Sequence, residues 1–113
     1  MRNLSRIAGL ICTLSLAAAA AEPDVKTVRL WRAKCASCHG VDGKGKTETG
    51  RKLGIPDMTT ATWQKSASDA KLKTSILEGV KRPAKTDGMD PYKDKLTAAQ
   101  VDALVAYVRT LGK

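Results

Sequence analysis

The stretch Cys35-Ala36-Ser37-Cys38-His39 decides how the rest of this 113-residue sequence is interpreted. The spacing C-x-x-C-H is typical of a c-type haem attachment site. Two thiols separated by two residues can each add to one vinyl group of a haem, and the adjacent histidine can then bind the iron. The pattern therefore predicts one haem bound covalently through Cys35 and Cys38, with His39 as an axial ligand of the iron.

Three other uses of a C-x-x-C pair fit this sequence poorly. A disulfide between Cys35 and Cys38 would close a very short loop and would stabilise the fold little. A thioredoxin-type redox pair is expected in a βαβ setting, and no strand pattern precedes Cys35. A structural zinc site needs four ligands, whereas the chain after residue 21 offers two cysteines and one histidine.

The first 21 residues have the order of features of a secretory signal peptide. Arg2 and Arg6 are basic, Ile7 to Leu16 is mostly apolar, and Ala19 to Ala21 offers small residues for cleavage. The apolar run is far shorter than the roughly 20 residues that span a bilayer. We expect a signal peptide over residues 1–21, a folded domain over residues 22–113, and export to the periplasm. An uncleaved membrane anchor is the alternative.

The expected mature chain is small and strongly basic. Its aromatic residues are two tryptophans and two tyrosines, so a buried cofactor would supply apolar bulk that a small core lacks. Without Arg2 and Arg6, 18 of the 20 basic residues remain against 11 acidic ones, which is a net charge of +7. Because export makes nucleic acid an improbable partner, this charge favours redox partner proteins with acidic docking surfaces, or an anionic membrane face.

Apolar residues recur at helical spacing in three segments: residues 24–34, residues 68–80, and a segment that begins with the capping box Thr97 to Gln100. The segments 40–54 and 83–95 have the glycines and charges of loops, with a short turn or helix around residues 60–65. No segment alternates with period two, so the sequence predicts an all-α fold of three main helices with long loops around a cofactor. The expected buried faces are Val25, Val28 and Trp31; Leu72, Ile76, Leu77 and Val80; and Val101, Leu104, Val105, Val108 and Leu111.

Residues 40–47 match the phosphate-binding pattern G-x-x-x-x-G-K-[ST] letter for letter. That motif binds phosphate only between a buried strand and the start of a helix. Here a helical segment and the C-x-x-C-H stretch precede it, and the chain lacks strand patterns. We interpret the match as chance in a glycine- and lysine-rich loop.

A second axial ligand is expected to be a methionine. His39 is the chain's one histidine, so two histidines cannot bind the iron within one chain. Methionine sulfur is a common partner of histidine in cytochromes c. Once Met1 leaves with the signal peptide, Met58 and Met89 remain. The sequence favours Met89, because Gly88 and Pro91 flank it on a loop between two helices. Met58 is the alternative.

Together, these segments resemble a class I cytochrome c, of the small single-haem kind found in the bacterial periplasm and similar to soluble algal plastid carriers. The resemblance covers nearly all of residues 22–113. It implies that Trp31 is the aromatic residue before the first haem cysteine, and that the carbonyl of Pro56 accepts the N–H of the proximal histidine. It also implies that Met89 is the iron ligand. Trp63 resembles the tryptophan that bonds a haem propionate in some members of the family, with ordinary core packing as the alternative. One departure is Asp90, since the family more often has proline directly after the methionine.

The function expected from this resemblance is one-electron transfer, without enzymatic activity. A haem with both axial positions occupied has no open site for a substrate, so the protein would carry electrons between redox partners, as a monomer. Two alternatives are an open-site haem protein, peroxidase-like or gas-binding, and a haem subunit that relays electrons within a larger respiratory complex.

Overall fold

The computed structural model describes residues 22–82 and 88–113. The expected signal peptide over residues 1–21 lies outside the described residues. The described chain has six helices and one short hairpin. The elements are α1 (Val25–Lys34), α2 (Ala36–His39), α3 (Glu48–Leu53), α4 (Ala61–Ser66), α5 (Asp69–Glu78), β1 (Val80–Lys81), β2 (Gly88–Met89) and α6 (Ala98–Thr110).

Side chains cap the start of four helices. The hydroxyls of Thr47, Thr60, Ser68 and Thr97 each accept a hydrogen bond from an amide in the first turn of the helix that follows. The predicted capping box is confirmed, since the side chain of Gln100 also bonds back to the amide of Thr97. In contrast, Asp24, the N-cap residue of α1, makes no side-chain capping hydrogen bond.

Helix α6 packs against both α1 and α5, and the core lies where the three meet. The predicted all-α fold with three main helices is confirmed. The buried apolar residues are few, so this small domain has limited apolar burial of its own. They are Trp31, Ala36, Met58, Leu72, Val101, Leu104, Val105 and Val108.

The structure corrects three details of the prediction. Residues 40–54 were expected to be loop throughout, but they contain α3, which begins at the Thr47 cap and ends at left-handed Gly54. Val25 was expected to be buried and is 63% exposed, while Thr27 is buried on that helix. The second helix ends at Glu78, so Val80 lies in β1 and is 45% exposed rather than part of the helical stripe.

The hairpin was not expected either. Strands β1 and β2 are antiparallel, with Val80 opposite Met89 and Lys81 opposite Gly88. Each strand has two residues, which is too short for a period-two pattern to be detected.

Within residues 22–82 and 88–113, none of the helices combines the length and the apolar character needed to cross a membrane.

Candidate haem-attachment site

The C-x-x-C-H stretch forms a tight helical turn directly after α1. Cys35 joins α1 to α2, and its carbonyl oxygen accepts hydrogen bonds from the amides of Cys38 and His39. Residues three apart lie on the same side of a helix, so both cysteines face one direction. Both are half-buried and neither forms a disulfide. The turn therefore offers two unbridged thiols, one helical turn apart, beside an imidazole.

The imidazole of His39 lies against an aromatic wall. The ring centroids of Trp31 and His39 are 5.8 Å apart, and Tyr107 packs on Trp31 at 5.3 Å. The Trp31 indole donates to the carbonyl oxygen of Gly40 at 3.1 Å, which fixes α1 to the end of the turn. Burial lowers the pKa of His39, so the ring is neutral at neutral pH, the form that binds a metal.

One nitrogen of His39 has no partner within the described residues. Nδ1 is buried and makes no hydrogen bond. A buried imidazole nitrogen without a partner is available either to bind a metal or to donate to an acceptor that orients the ring when the other nitrogen binds a metal. The donor set therefore fits a haem: two thiols to attach it, and a neutral imidazole to bind its iron.

The thiol of Cys35 differs from that of a redox-active cysteine. Burial and the nearby Cys38 raise its pKa from 9.0 to about 11. Redox-active and nucleophilic cysteines have lowered pKa values, because the thiolate is the reactive form. This environment does not fit a thioredoxin-type pair.

The glycine-rich loop holds the turn in place. The amide of Gly45 donates to the His39 carbonyl oxygen at 2.7 Å, and the Thr47 hydroxyl donates to the Cys38 carbonyl oxygen at 2.8 Å. A Cβ added at Gly50 would lie 2.7 Å from that same Cys38 oxygen, so the close approach of α3 requires glycine. The glycine-rich loop and the start of α3 thus hold the carbonyl groups of the attachment turn in place.

This loop is not a phosphate cradle. Three of its amides already have partners: Gly43 donates to the Gly40 carbonyl, Lys44 to the Asp42 carboxylate at 3.0 Å, and Gly45 to the His39 carbonyl. No buried strand precedes the loop in the described residues. The match to the phosphate-binding pattern is therefore a match of letters only.

Met89 lies half-buried in β2, opposite Val80. Gly79 lets this strand approach α5: it has φ +74° and ψ −179°, and a Cβ there would collide with the Met89 carbonyl oxygen and lie 2.9 Å from the Pro91 nitrogen. Beyond the strand, the amide of Tyr92 donates to the Ile76 carbonyl oxygen at 2.9 Å. The methionine segment is thus fastened to the end of α5.

Met58 lies elsewhere. It is buried in the core, its amide donates to the Gly43 carbonyl oxygen at 2.9 Å, and its carbonyl accepts from the Gln64 side chain at 2.8 Å. The loop that binds Met58 also contains Gly45, which bonds to His39. Met58 and His39 are therefore both hydrogen-bonded to the glycine-rich loop.

The resemblance also singled out Pro56 and Trp63. Pro56 is exposed, and among the described residues Nδ1 of His39 makes no hydrogen bond to the Pro56 carbonyl oxygen. Trp63 packs half-buried against the core, and its indole makes no hydrogen bond among the described residues. The roles of Pro56 as acceptor and Trp63 as propionate donor stay predictions.

Two residues near the site were missed as contributors by the sequence interpretation. Tyr92 reaches across the fold, where its hydroxyl donates to the Lys34 carbonyl oxygen at 3.0 Å. Gly79 ends α5 and also admits the Met89 strand. The Gly79 residue type was a signal for close backbone approach, but nothing local to Tyr92 indicates a partner 58 residues away.

Comparison with known proteins agrees with this geometry. The cytochrome c family model matches residues 25–112. The chain belongs to the cytochrome c family, and a cytochrome c domain carries covalently bound haem c. Cys35 and Cys38 are the appropriately spaced cysteines. The resemblance to class I cytochromes c is thereby confirmed.

Two curated relatives are subunits of cbb3-type cytochrome c oxidases, and both are longer than this chain. The chain is 31% identical over 111 residues to the FixP subunit of a cbb3-type cytochrome c oxidase from Azorhizobium caulinodans, and 34% identical over 86 residues to a CcoP subunit from Rhodobacter capsulatus. These alignments cover 97% and 74% of this chain but only 35% and 28% of those subunits. The chain thus spans about a third of the length of these relatives.

A solved structure of a c-type cytochrome aligns with this chain over nearly the whole length of the solved structure. The KustC0563 c-type cytochrome aligns with a TM-score of 0.67 and 38% identity, covering 77% of this chain and 98% of that one.

Proposed function

We propose that this protein is a one-electron carrier whose haem c has His39 and Met89 as axial ligands. The haem supplies a reversible one-electron couple, and the protein supplies its ligands, its surroundings and its exposure to partners. The observation that carries the proposal is the position of the methionine segment. It is fastened to the end of α5 and, through Tyr92, to Lys34, the residue before Cys35.

The positions of the two methionines favour Met89 as the second ligand. Axial ligands bind opposite faces of a macrocycle, so the second must come from a different part of the chain than the first. Met58 is bonded to the glycine-rich loop that also bonds to His39. Met89 comes from the hairpin beyond α5, with its backbone paired to Val80 and passing close to Gly79. Met58 then serves as a core residue, as most buried methionines do.

The chain's own residues would keep this site closed. Trp31 and its neighbours cover the His39 ring on one side and exclude water. The Met89 segment would close the other side, and a thioether ligand in a dry pocket would raise the reduction potential. An open-site enzyme would need Met89 to leave and a distal acid–base residue to replace it. The sequence has no second histidine for that role.

Basic residues around the attachment site support docking to an acidic partner in the periplasm. Exposed lysines occur before the C-x-x-C-H turn, in the glycine-rich loop and on the hairpin. The basic residues that flank the segments expected around the haem are Lys34, Lys44, Lys46, Lys81, Arg82, Lys85, Lys93 and Lys95. Among them, Lys93 is partly neutralised by the Glu78 carboxylate at 3.7 Å, Arg82 also has an interaction partner, and Lys85 lies outside the described residues.

Electron-transfer kinetics of variants that lack selected lysine charges test the docking proposal. We expect the rate of electron transfer to an acidic partner protein to fall steeply with salt, and the double variant Lys44→Gln/Lys46→Gln to weaken that dependence. The matched control Lys26→Gln/Lys71→Gln removes the same charge from exposed positions on α1 and α5. Equal effects of the two double variants would reject a localised docking site.

A second candidate function is a haem relay within a respiratory complex. It rests on the similarity to oxidase subunits, whereas the small KustC0563 cytochrome, matched over 98% of its length, favours a free carrier. Native electrophoresis of periplasmic and detergent-solubilised membrane fractions separates the two. A free carrier migrates at about its own size in the periplasmic fraction, and a relay migrates with an oxidase.

Carbon monoxide tests whether the coordination is closed. The ferrous protein with Met89 bound is expected to resist carbon monoxide near neutral pH, and Met89→Ala is expected to bind it readily. If the unmodified protein binds carbon monoxide as readily as the variant, the open-site alternative replaces the carrier.

A further inference from the structure

Tyr92 makes more connections than its place on a loop would require. Its amide donates to the Ile76 carbonyl of α5, and its own carbonyl accepts from the amides of Lys95 and Leu96 at 2.9 and 3.0 Å. The Lys95 ammonium lies 5.4 Å from the centre of its ring. These contacts fix the backbone and the ring, so the hydroxyl is held in one position.

That hydroxyl donates to the Lys34 carbonyl oxygen at 3.0 Å. Lys34 is the last residue of α1, where carbonyl groups lack partners within the helix. Between the segments 88–96 and 25–39 of the described chain, this is the one hydrogen bond. It joins the methionine segment directly to the residue that precedes Cys35.

We infer that Tyr92 is a positioning residue for Met89, and that its hydroxyl bond to Lys34 holds the methionine segment closed over the site. The inference rests on the proposed ligation by Met89. A ligand on a segment fastened only to α5 could swing away with that segment, whereas the second attachment to α1 limits this opening. Partial burial raises the pKa of Tyr92, so its hydroxyl remains a donor at neutral pH.

The variant Tyr92→Phe isolates the hydroxyl. It keeps the ring, the contact with the Lys95 ammonium and both backbone attachments. Tyr107→Phe is the matched control, because Tyr107 is the other tyrosine of the chain and the described residues give its hydroxyl no partner. Both substitutions remove one oxygen from a half-buried ring.

Imidazole binding to the ferric holoprotein measures how often the segment opens, because imidazole reaches the iron only where methionine has left. We expect Tyr92→Phe to tighten the apparent dissociation constant for imidazole about three- to tenfold, which corresponds to about 0.7–1.4 kcal/mol. We expect Tyr107→Phe to leave it unchanged. Hydrogen exchange at the amides of Tyr92 and Lys93 is expected to speed up in Tyr92→Phe, while exchange at the α6 amide of Leu104 does not.

The outcomes separate this inference from the function on which it rests. If the wild-type ferric protein shows methionine ligation but Tyr92→Phe binds imidazole no better than wild type, the positioning role is rejected and the carrier stands. If both variants bind imidazole equally better, general softening explains the effect and the role is again rejected. If wild type lacks methionine ligation, the proposed function fails, and the positioning role fails with it.

Discussion

Replacing Gly79 by alanine is expected to push the methionine segment away from α5. The added Cβ would collide with the Met89 carbonyl oxygen and lie 2.9 Å from the Pro91 nitrogen and 3.0 Å from the Asp90 carbonyl carbon. All three neighbours are backbone atoms, so no flexible side chain can move to relieve the overlap. The whole strand must shift instead.

The backbone angles of Gly79 add to this cost. At φ +74° and ψ −179°, the residue lies in a region that is essentially restricted to glycine, where strain is about 1–3 kcal/mol. With the loss of the pairing between Val80 and Met89, we expect the free energy of unfolding to fall by about 2–4 kcal/mol. We also expect weaker methionine ligation.

Gly54 provides the control for this experiment. It has φ +66° and ψ 37°, and a Cβ there would have nothing within 4 Å. Gly54→Ala therefore carries the cost of a left-handed backbone, about 1–2 kcal/mol, without a collision. Guanidinium unfolding followed by circular dichroism gives both stabilities, and the far-red absorption band reports on methionine ligation.

The reasoning is refuted if the two glycine variants behave alike. Gly79→Ala is expected to lose more stability than Gly54→Ala and to weaken the band, which Gly54→Ala keeps. Equal losses of stability with an intact band in both would mean that the close approach at Gly79 does not position Met89.

Three other predictions concern stability and processing. Arg109→Ala is expected to lose about 2–4 kcal/mol in urea unfolding, because Arg109 bonds Asp69 at 2.7 Å and the backbone carbonyls of Gln64 in α4 and of Ala67, with its side chain only 29% exposed. Lys73→Ala, which breaks the more exposed pair with Asp102, is expected to lose less than about 1 kcal/mol; equal losses would contradict this ranking. Mass spectrometry of the exported protein is expected to give a chain that begins near Glu22, and a full-length chain in the membrane fraction would contradict signal cleavage.

The attachment site could be predicted from the sequence because its chemistry is local. Cys35, Cys38 and His39 lie within five residues, and their order alone indicates covalent haem. Helix α6 could also be predicted from the sequence, because the Thr97 capping box and an apolar face both lie within this one element.

The rest depends on contacts between distant segments. Helix α3 was not predicted, because the glycines of this segment indicated a loop, although Thr47 and Gly54 supply the caps of the helix. Val80 follows the helical spacing of α5, but Gly79 ends that helix and turns the chain into the hairpin. The bond from Tyr92 to Lys34 joins residues far apart in sequence, so no local pattern reveals it.

The central claim is that Met89, not Met58, binds the iron opposite His39. The most direct test is the far-red absorption band of the ferric protein, which is characteristic of methionine ligation, measured in wild type, Met89→Ala and Met58→Ala. We expect the band in wild type, its loss in Met89→Ala together with a lower reduction potential, and its retention in Met58→Ala despite a loss of packing stability of about 2–5 kcal/mol. A band that survives Met89→Ala but disappears in Met58→Ala would contradict the account.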